Sequence, residues 1–472
     1  MIKEDVNKVG VVVTLMIGTL MAALDMSVVN VSIPAMMEQF HSTVSQIELV
    51  VSSYMIGFVI VMPMTDWLKN RLGYYKLYLY CLIVFIIGSL LCGIAWSLPI
   101  LVAARIVQAF GGGALTPVAM AILATLFDEK ERGKVLGLWG LGVVVGPAFG
   151  PTIGGMLTEK FGWPSIFLIN IPIGLTGIFL TQKYLRATDK EKIRKIYPFD
   201  WSGFLSFTIL LVSFFSFIGS IHNIEKKSTL EITLSLMTIF VSLGVFLKVE
   251  LTKLNPMINL KLFNNLGFFS CITVTFLRSI TLYGGMFLIP LYLQLVMNYS
   301  ETKSGILMFP GTAFVAAFMP FAGKWADRFG PTRISVIGLI ILALAMYLFS
   351  TMGFESNEVS ILARMSLRGI ALGLVVAPIT VATMNAVSKD QFASASAFNS
   401  IIQQIGGALG VAVLAIVQQH VKLSQISLHA LSPIAAELKG ISFSFRIAFV
   451  IILVSLVPCF FISKKETLVR LR

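Results

Sequence analysis

The chain has 472 residues, of which 57% are hydrophobic and only 12% charged, with a mean hydropathy of +0.88. A soluble protein of this length needs roughly 25% charged residues to coat its surface, so most of this exterior must face lipid. The net charge of +13 would suit a nucleic-acid partner, but its distribution along the chain gives it another meaning.

Apolar runs long enough to cross a hydrocarbon core of roughly 30 Å as helices are predicted at 9–33, 45–67, 77–97, 99–126, 133–157, 163–183, 201–221, 229–249, 267–297, 303–323, 334–353, 359–386, 394–419 and 441–463. The chain therefore reads as an all-α polytopic membrane protein of fourteen spans, with both termini on one side. The N-terminus, the even-to-odd loops and the tail "SKKETLVRLR" hold about 25 of the 36 Lys and Arg, and the opposite loops about six. Cytoplasmic loops carry such an excess, so both termini are expected in the cytoplasm, and nucleic acid is not an expected partner. The first run is too long for a cleavable signal peptide and leads straight into polar residues. Cys81, Cys92, Cys271 and Cys459 fall within spans at spacings that suit neither disulfides nor a metal site. His41, His222, His420 and His429 are scattered over short polar loops, and 420–440 is the largest outward-facing loop expected.

In chain order, the first span contains "TLMAALDMSVVNVSIPAM", with Asp25 about two-thirds of the way along. Asp25 is the one carboxylate placed well inside hydrocarbon; Glu48, Asp66, Glu231, Glu250 and Glu301 fall near span ends. A charged Asp at mid-bilayer costs about 2.5–3.5 kcal/mol on insertion scales, so it must face protein or water. Burial raises a carboxyl pKa and a nearby cation lowers it; a group alternating between those settings can take up and release protons. Arg105 lies early in the fourth span and cannot deprotonate, so its role must be electrostatic or structural. Arg278, Arg364 and Arg368 also fall within spans. Four arginines against one deep aspartate favour neutral, zwitterionic or anionic cargo over purely cationic cargo, except that arginines near span ends can snorkel.

The fifth span carries "GPAFGPTIGG", with Gly146, Gly150 and Gly154 on one helical face. Small residues let helix backbones approach closely, and Pro147 and Pro151 remove backbone donors and permit bending. The pattern suits packing against a helix of the opposite half, which would seal one side of a cavity; packing glycines without a gating role are the alternative. "GKWADRFGPTR" after the tenth span has a weaker relative, "DWLKNRLGYYK", after the second. Aligning Gly330 with Gly73 gives an offset of 257 residues. The same offset carries the first span onto the ninth and the fifth onto the thirteenth, and "RIVQAFGGGALTP" corresponds to "RMSLRGIALGLVVAP". Two six-span halves, residues 1–185 and 267–472, thus flank an inserted pair of spans at 201–250, joined by cytoplasmic linkers 186–200 and 251–266. Parallel repeats of this kind are the architecture of alternating-access carriers, with a site near the midplane between the halves.

These motifs resemble those of the major facilitator transporters, and within them the 14-span drug:proton antiporters of the EmrB/QacA type. The likeness spans nearly the whole chain: "LDMSVVNVSIP" in the first span, the loop motif twice, "RIVQ" in the fourth, the complete G-x-x-x-G-P-x-x-G-G in the fifth, and "WPSIFLINIPIG" in the sixth. It departs at Asp66 and Asn70, which replace the leading glycine and the acidic position of the first loop motif, and at Ala109. The resemblance implies a major facilitator fold in a bacterial cytoplasmic membrane. It implies proton coupling through Asp25 and Arg105, and gating by Gly146, Pro147, Gly150, Pro151, Gly154 and Gly155. It further implies a cytoplasmic latch at Arg71, Gly73, Gly323, Asp327, Arg328 and Gly330, lopsided because only the second copy keeps its acid. Asn30, Tyr54, Gln108, Gln294 and Gln403 are candidates for the cavity lining, each equally well an interhelical hydrogen bond. No cofactor is expected, the proton gradient being the energy source. The expected partners are a small amphipathic substrate and the bilayer. EmrB-type relatives can pair with a periplasmic adaptor and outer-membrane channel; otherwise a monomer is expected.

An enzyme is not expected, since histidines in loops and one deep carboxylate make no catalytic cluster. An ATP-driven pump would need a phosphate loop, and neither Gly133-Lys134 nor Gly323-Lys324 is followed by Ser or Thr. The alternatives left open are a dedicated exporter or flippase of a lipid, siderophore or peptide, sodium in place of proton coupling, and a non-transporting sensor or scaffold.

Overall fold

The structure is a computed structural model that describes residues 7–127, 129–186, 198–220, 228–253, 257, 260–388 and 391–462. Inside those ranges a minority of side chains, including those of Asp66 and Asp327, fall outside the description. The helices of the first half are α1 (Lys8–Phe40), α2 (Val44–Ile47), α3 (Leu49–Val61), α4 (Thr65–Gly93), α5 (Leu98–Leu126), α6 (Glu129–Phe161), α7 (Ser165–Leu168) and α8 (Asn170–Leu180). The inserted pair is α9 (Trp201–Gly219) and α10 (Thr229–Thr252). The second half holds α11 (Leu266–Leu291), α12 (Glu301–Phe329), α13 (Pro331–Ser350), α14 (Glu358–Asn385), α15 (Phe392–His429) and α16 (Pro433–Cys459). Among the described residues, 13 helical segments are long and apolar enough to cross a membrane. The 33-residue α6 occupies the place of the remaining expected span.

Polar side chains start these helices by accepting orphan backbone N–H groups. Asn7 accepts from Gly10, Asp200 from Gly203, Asn265 from Phe268, Ser300 from Lys303, Asn357 from Ser360 and Ser432 from Ala435. The two loop-motif glycines take matching left-handed conformations: Gly73 has φ 77° and ψ 168°, and Gly330 has φ 87° and ψ 143°. A side chain is strained there, so the same residue turns the chain at the same point of each repeat. Gly73 breaks α4 so that Thr65–Leu72 forms a separate short helix before the third span.

The repeat is also visible in the packing. In the first half α1 packs on α6, α4 on α5 and α3 on α5; in the second, α11 packs on α15, α13 on α14 and α12 on α14. Between halves, α6 meets α12 and α15 meets α3, two seams exchanged by the repeat. The inserted α9 lies against both α3 and α15. Its N-terminal approach is held by Trp67, Phe199 and Trp201, whose ring centroids lie 5.0–6.5 Å apart, and by an ion pair between Lys253 and Asp200.

Two expectations are corrected. Residues 420–440 are not a long loop: α15 runs on to His429, Ala430 ends it with φ 50°, and α16 begins at Pro433. One polar group of the extension, Lys422, finds its partner across the helix pair. Buried Glu437 accepts a 2.6 Å hydrogen bond from Gln418 and pairs with Lys422 at 2.7 Å. The second correction concerns α6. Its Gly146–Gly150–Gly154 face does not meet the opposite half; it packs on α1, where a Cβ on each would fall 1.8–2.8 Å from atoms of Leu24, Ser27 and Val28. The physical reason is helical pitch: Pro151 and Gly155 sit about 100° further round, and that adjacent face touches α12.

The α6–α12 seam is tight at the face opposite the chain termini. A Cβ on Gly155 would lie 2.2 Å from the Glu301 carbonyl, and one on Gly305 2.2 Å from the Pro151 carbonyl. The Thr302 amide donates to Glu159 at 2.9 Å, the Thr152 hydroxyl to the Gly305 carbonyl at 3.3 Å, and the Thr312 hydroxyl to the Ala148 carbonyl at 3.0 Å. Gly305→Leu is expected to force these ends apart. A cysteine introduced at Thr302 should then react faster with an impermeant maleimide added at that face than it does with Gly305 intact. An unchanged rate would show that this seam does not close the face.

Candidate functional site

Asp25 lies on the stretch of α1 that faces α5 and α8, and it is fully buried. Its Oδ2 accepts from Arg105 Nη1 at 2.6 Å. Its Oδ1 accepts from Gln108 Nε2 and from Asn170 Nδ2, both at 2.8 Å. Arg105 is 1% exposed. It also donates through Nη1 to Gln108 Oε1 at 2.5 Å and through Nε to the Val50 carbonyl at 3.1 Å. Its guanidinium lies over the Tyr54 ring, 4.1 Å from the centroid. Ser89 closes the group, its hydroxyl accepting from Gln108 at 2.8 Å and from Asn170 at 3.3 Å.

Local sequence makes this convergence possible. Arg105 and Gln108 are three apart on α5 and share a face. Gly88 lets α4 approach α5 so closely that a Cβ there would sit 2.4 Å from Gln108 Cα, which brings Ser89 into range. Gly112 leaves room for the Tyr54 hydroxyl, 2.4 Å from where its Cβ would be. The result is a dry ion pair in which both carboxylate oxygens and most of the guanidinium are hydrogen-bonded, the condition under which a buried pair is tolerated. Asn170 Oδ1 and the Tyr54 hydroxyl have no hydrogen-bond partner, so the group can still rearrange its bonds.

The remaining candidates separate. Tyr54 and Gln108, expected to line a cavity, belong instead to the closed Asp25 group, because the short α4–α5 and α3–α5 contacts draw them inward. Asn30 donates to its own helix, to the Met26 and Ser27 carbonyls at 3.2 and 3.4 Å. Gln294 crosses between the halves, donating to the Val31 carbonyl at 2.7 Å. Gln403, half-buried, donates to the Tyr283 hydroxyl at 3.4 Å beside the α3–α15 seam. In the loop motifs, Arg71 stacks on Trp67 of its own half and Arg328 on Phe329 of its own. Gly323 has open space beside it, and the Asp327 side chain lies outside the described residues. Asn170 and Ser89 were not among the sequence candidates. Asn170 sits in "INIP", where a lone amide in an apolar span was the available signal; Ser89 gives none. Glu48, expected near a span end, is buried. No group of three or more metal-ligating side chains occurs among the described residues.

Two helical halves with twofold-repeated seams, built from spans long and apolar enough to cross a membrane, define the class of protein as a polytopic helical membrane protein of two repeated halves. The chain matches the Major Facilitator Superfamily over residues 15–411 and belongs to it. It is 30% identical over 402 residues to the multidrug resistance protein Stp of Mycobacterium tuberculosis, covering 84% of this chain and 73% of that one. It is 27% identical to the multidrug export protein EmrB of Escherichia coli K12, covering 87% and 80%. Among solved structures, a bacterial homolog of the lysosomal transporter Spinster, inward-facing and unoccupied, superposes with a TM-score of 0.70 at 17% identity over 95% of each chain. A D-xylose-proton symporter gives 0.67 at 14% identity, over 97% of this chain and 98% of that one.

Leaving one partner of a dry pair unpaired costs about 3–5 kcal/mol, whereas loss of one neutral hydrogen bond costs about 1 kcal/mol. Arg105→Leu should therefore lower the thermal unfolding midpoint in detergent far more than Ser89→Ala, and adding Asp25→Asn to Arg105→Leu should recover part of the loss. Equal effects from the two single substitutions would contradict the pairing.

Proposed function

We propose that the chain is a proton-coupled antiporter that exports amphipathic drugs or toxic compounds by alternating access. The observation that carries this reading is that one helix, α1, holds Asp25 on one face and the glycine seam with α6 on another. Protonating Asp25 removes its charge, releases Arg105 and frees Gln108 and Asn170 to exchange partners. That changes the packing of α1 on α5 and α8. Because Gly146, Gly150 and Gly154 of α6 rest on α1 at residues 23–28, α6 follows, and with it the Pro151–Gly305 contact to α12. The charge excess on the termini face supports a cytoplasmic location for both termini. The tight α6–α12 seam then faces outward, with the Asp25–Arg105 pair formed. This is the state in which cargo would be taken up.

Multidrug export by the named relatives supports the cargo class, and the apolar, Met- and Phe-rich interior suits polyspecific binding. Export is tested by reconstitution into proteoliposomes with an imposed pH gradient and a panel of cationic, neutral and anionic amphiphiles. Wild type should move cargo uphill only while the gradient lasts. Asp25→Asn should bind cargo but lose uphill movement, and retained gradient-driven transport by that variant would exclude Asp25 as the coupling group.

A further inference from the structure

The second half holds two arginines deep in the bundle and away from the Asp25 group. Arg278 lies 12 residues into α11 and Arg368 lies 10 residues into α14. At 1.5 Å per residue both sit near mid-bilayer, too far from either interface to snorkel. Arg278 is 3% exposed and Arg368 2%. Their surroundings differ from those of Arg105. Arg368 donates from Nη2 to the Leu282 carbonyl at 2.7 Å, its Nε has no partner, and Arg278 Nε has none either. Neither forms an ion pair among the described residues. Leu282 is the position that the 257-residue offset assigns to Asp25, so the second half repeats the reach of the arginine helix toward the first helix of its half, with a leucine where the carboxylate stands.

Arg368 reaches the face of α11 on which Arg278 stands. Residues 278, 282 and 285 are four and three apart and line up along the helix. Arg368 lies against Leu282 and 3.5 Å from where a Gly285 Cβ would be. Tyr283, in electrostatic reach of Arg278, receives the Gln403 hydrogen bond and abuts Gly407 together with Met55 of the first half. Arg278 thus sits beside Tyr283 and Gln403 at the seam between halves, with Arg368 against the same helix at Leu282 and Gly285. A guanidinium in a dry interior is strongly unfavourable without a counter-anion, and the described residues supply none here.

We propose that Arg278 and Arg368 form a binding site for the anionic headgroup of the cargo, a carboxylate, sulfonate or phosphate on an apolar body. The guanidinium forks present planar paired donors that match such groups, and the apolar body would lie along the seam by Met55 and Tyr283. This assignment deepens the carrier reading above and rests on it. The outcome is a division of labour: the first half holds the switchable acid, and the second holds fixed positive charge that selects cargo.

The test reads binding and not transport, so failure of proton coupling would leave it unaffected. The protein is placed in phosphatidylcholine nanodiscs and titrated with anilinonaphthalene sulfonate and with uncharged phenylnaphthylamine, each corrected for empty nanodiscs. Loss of a buried charge-assisted hydrogen bond corresponds to about tenfold or more in affinity. Arg278→Gln and Arg368→Gln should each weaken the sulfonate by that factor and leave the amine nearly unchanged, while Arg278→Lys and Arg368→Lys should keep part of the sulfonate affinity. Should the glutamine variants unfold, the lysine variants and the wild type decide: the sulfonate, and not the amine, should raise the wild-type unfolding midpoint. Phosphatidylglycerol that displaces the sulfonate from wild type would identify a lipid headgroup as the anion, and failure to displace it would point to a soluble amphiphile. Equal loss of both probes in folded variants, unchanged sulfonate binding, or no sulfonate-specific stabilisation would overturn the site.

Discussion

The ion pair between Asp25 and Arg105 is the constraint around which the first half is arranged. Two opposite charges in a dry interior are tolerated only when each remaining lone pair and proton is engaged. Here that demand recruits α4 through Ser89, α5 through Gln108, α8 through Asn170 and α3 through the Val50 carbonyl and the Tyr54 ring. Five spans are therefore tied to one carboxylate. Gly88 is explained by the same demand, since a side chain there would push α4 and Ser89 away from Gln108, and Gly112 leaves room for the Tyr54 ring that lies against Arg105.

The helix that carries Asp25 is also the one on which α6 packs. Trp139 of α6 donates to Thr19 at 3.0 Å, and Ser32 meets Thr158 at 2.6 Å, so α6 is fastened to α1 above and below the glycine contacts. At the glycines α6 meets the α1 backbone at Leu24 and Val28 and the Ser27 side chain. The proline and glycine on the adjoining face of α6 meet α12 at Gly305 and Glu301. The motif is thus a two-sided spacer between a helix of its own half and one of the other.

The halves share topology but not chemistry. Gly73 and Gly330 make the same turn, and the helix pairings repeat, yet the acid of the first half has no counterpart at Leu282. The inserted pair adds a further asymmetry: α9 lies over the α3–α15 seam, while α10 is largely exposed, with Ser242, Phe246 and Glu250 its buried residues. One of the two seams, α3–α15, is thereby covered.

Much of this was legible in the amino-acid sequence. Hydrophobic length set the spans, because a lipid-exposed backbone must satisfy its own hydrogen bonds; the glycine repeat marked the two halves; and an acid in an apolar run marked Asp25. What the sequence could not supply was the identity of the partners. Asn170 lies 145 residues from Asp25 and Ser89 lies 81 from Asn170, and no local pattern encodes such distances. The face of α6 that meets the other half was also misread, since both faces carry small residues and only the neighbours tell them apart. The helical continuation through 420–429 was likewise misread, and its Lys422 pairs with Glu437 of the next helix, a contact that no local pattern announces. Local periodicity determined which segments became helices, whereas long-range packing alone decided which polar side chains were enclosed with an ion pair and which were left at the seam.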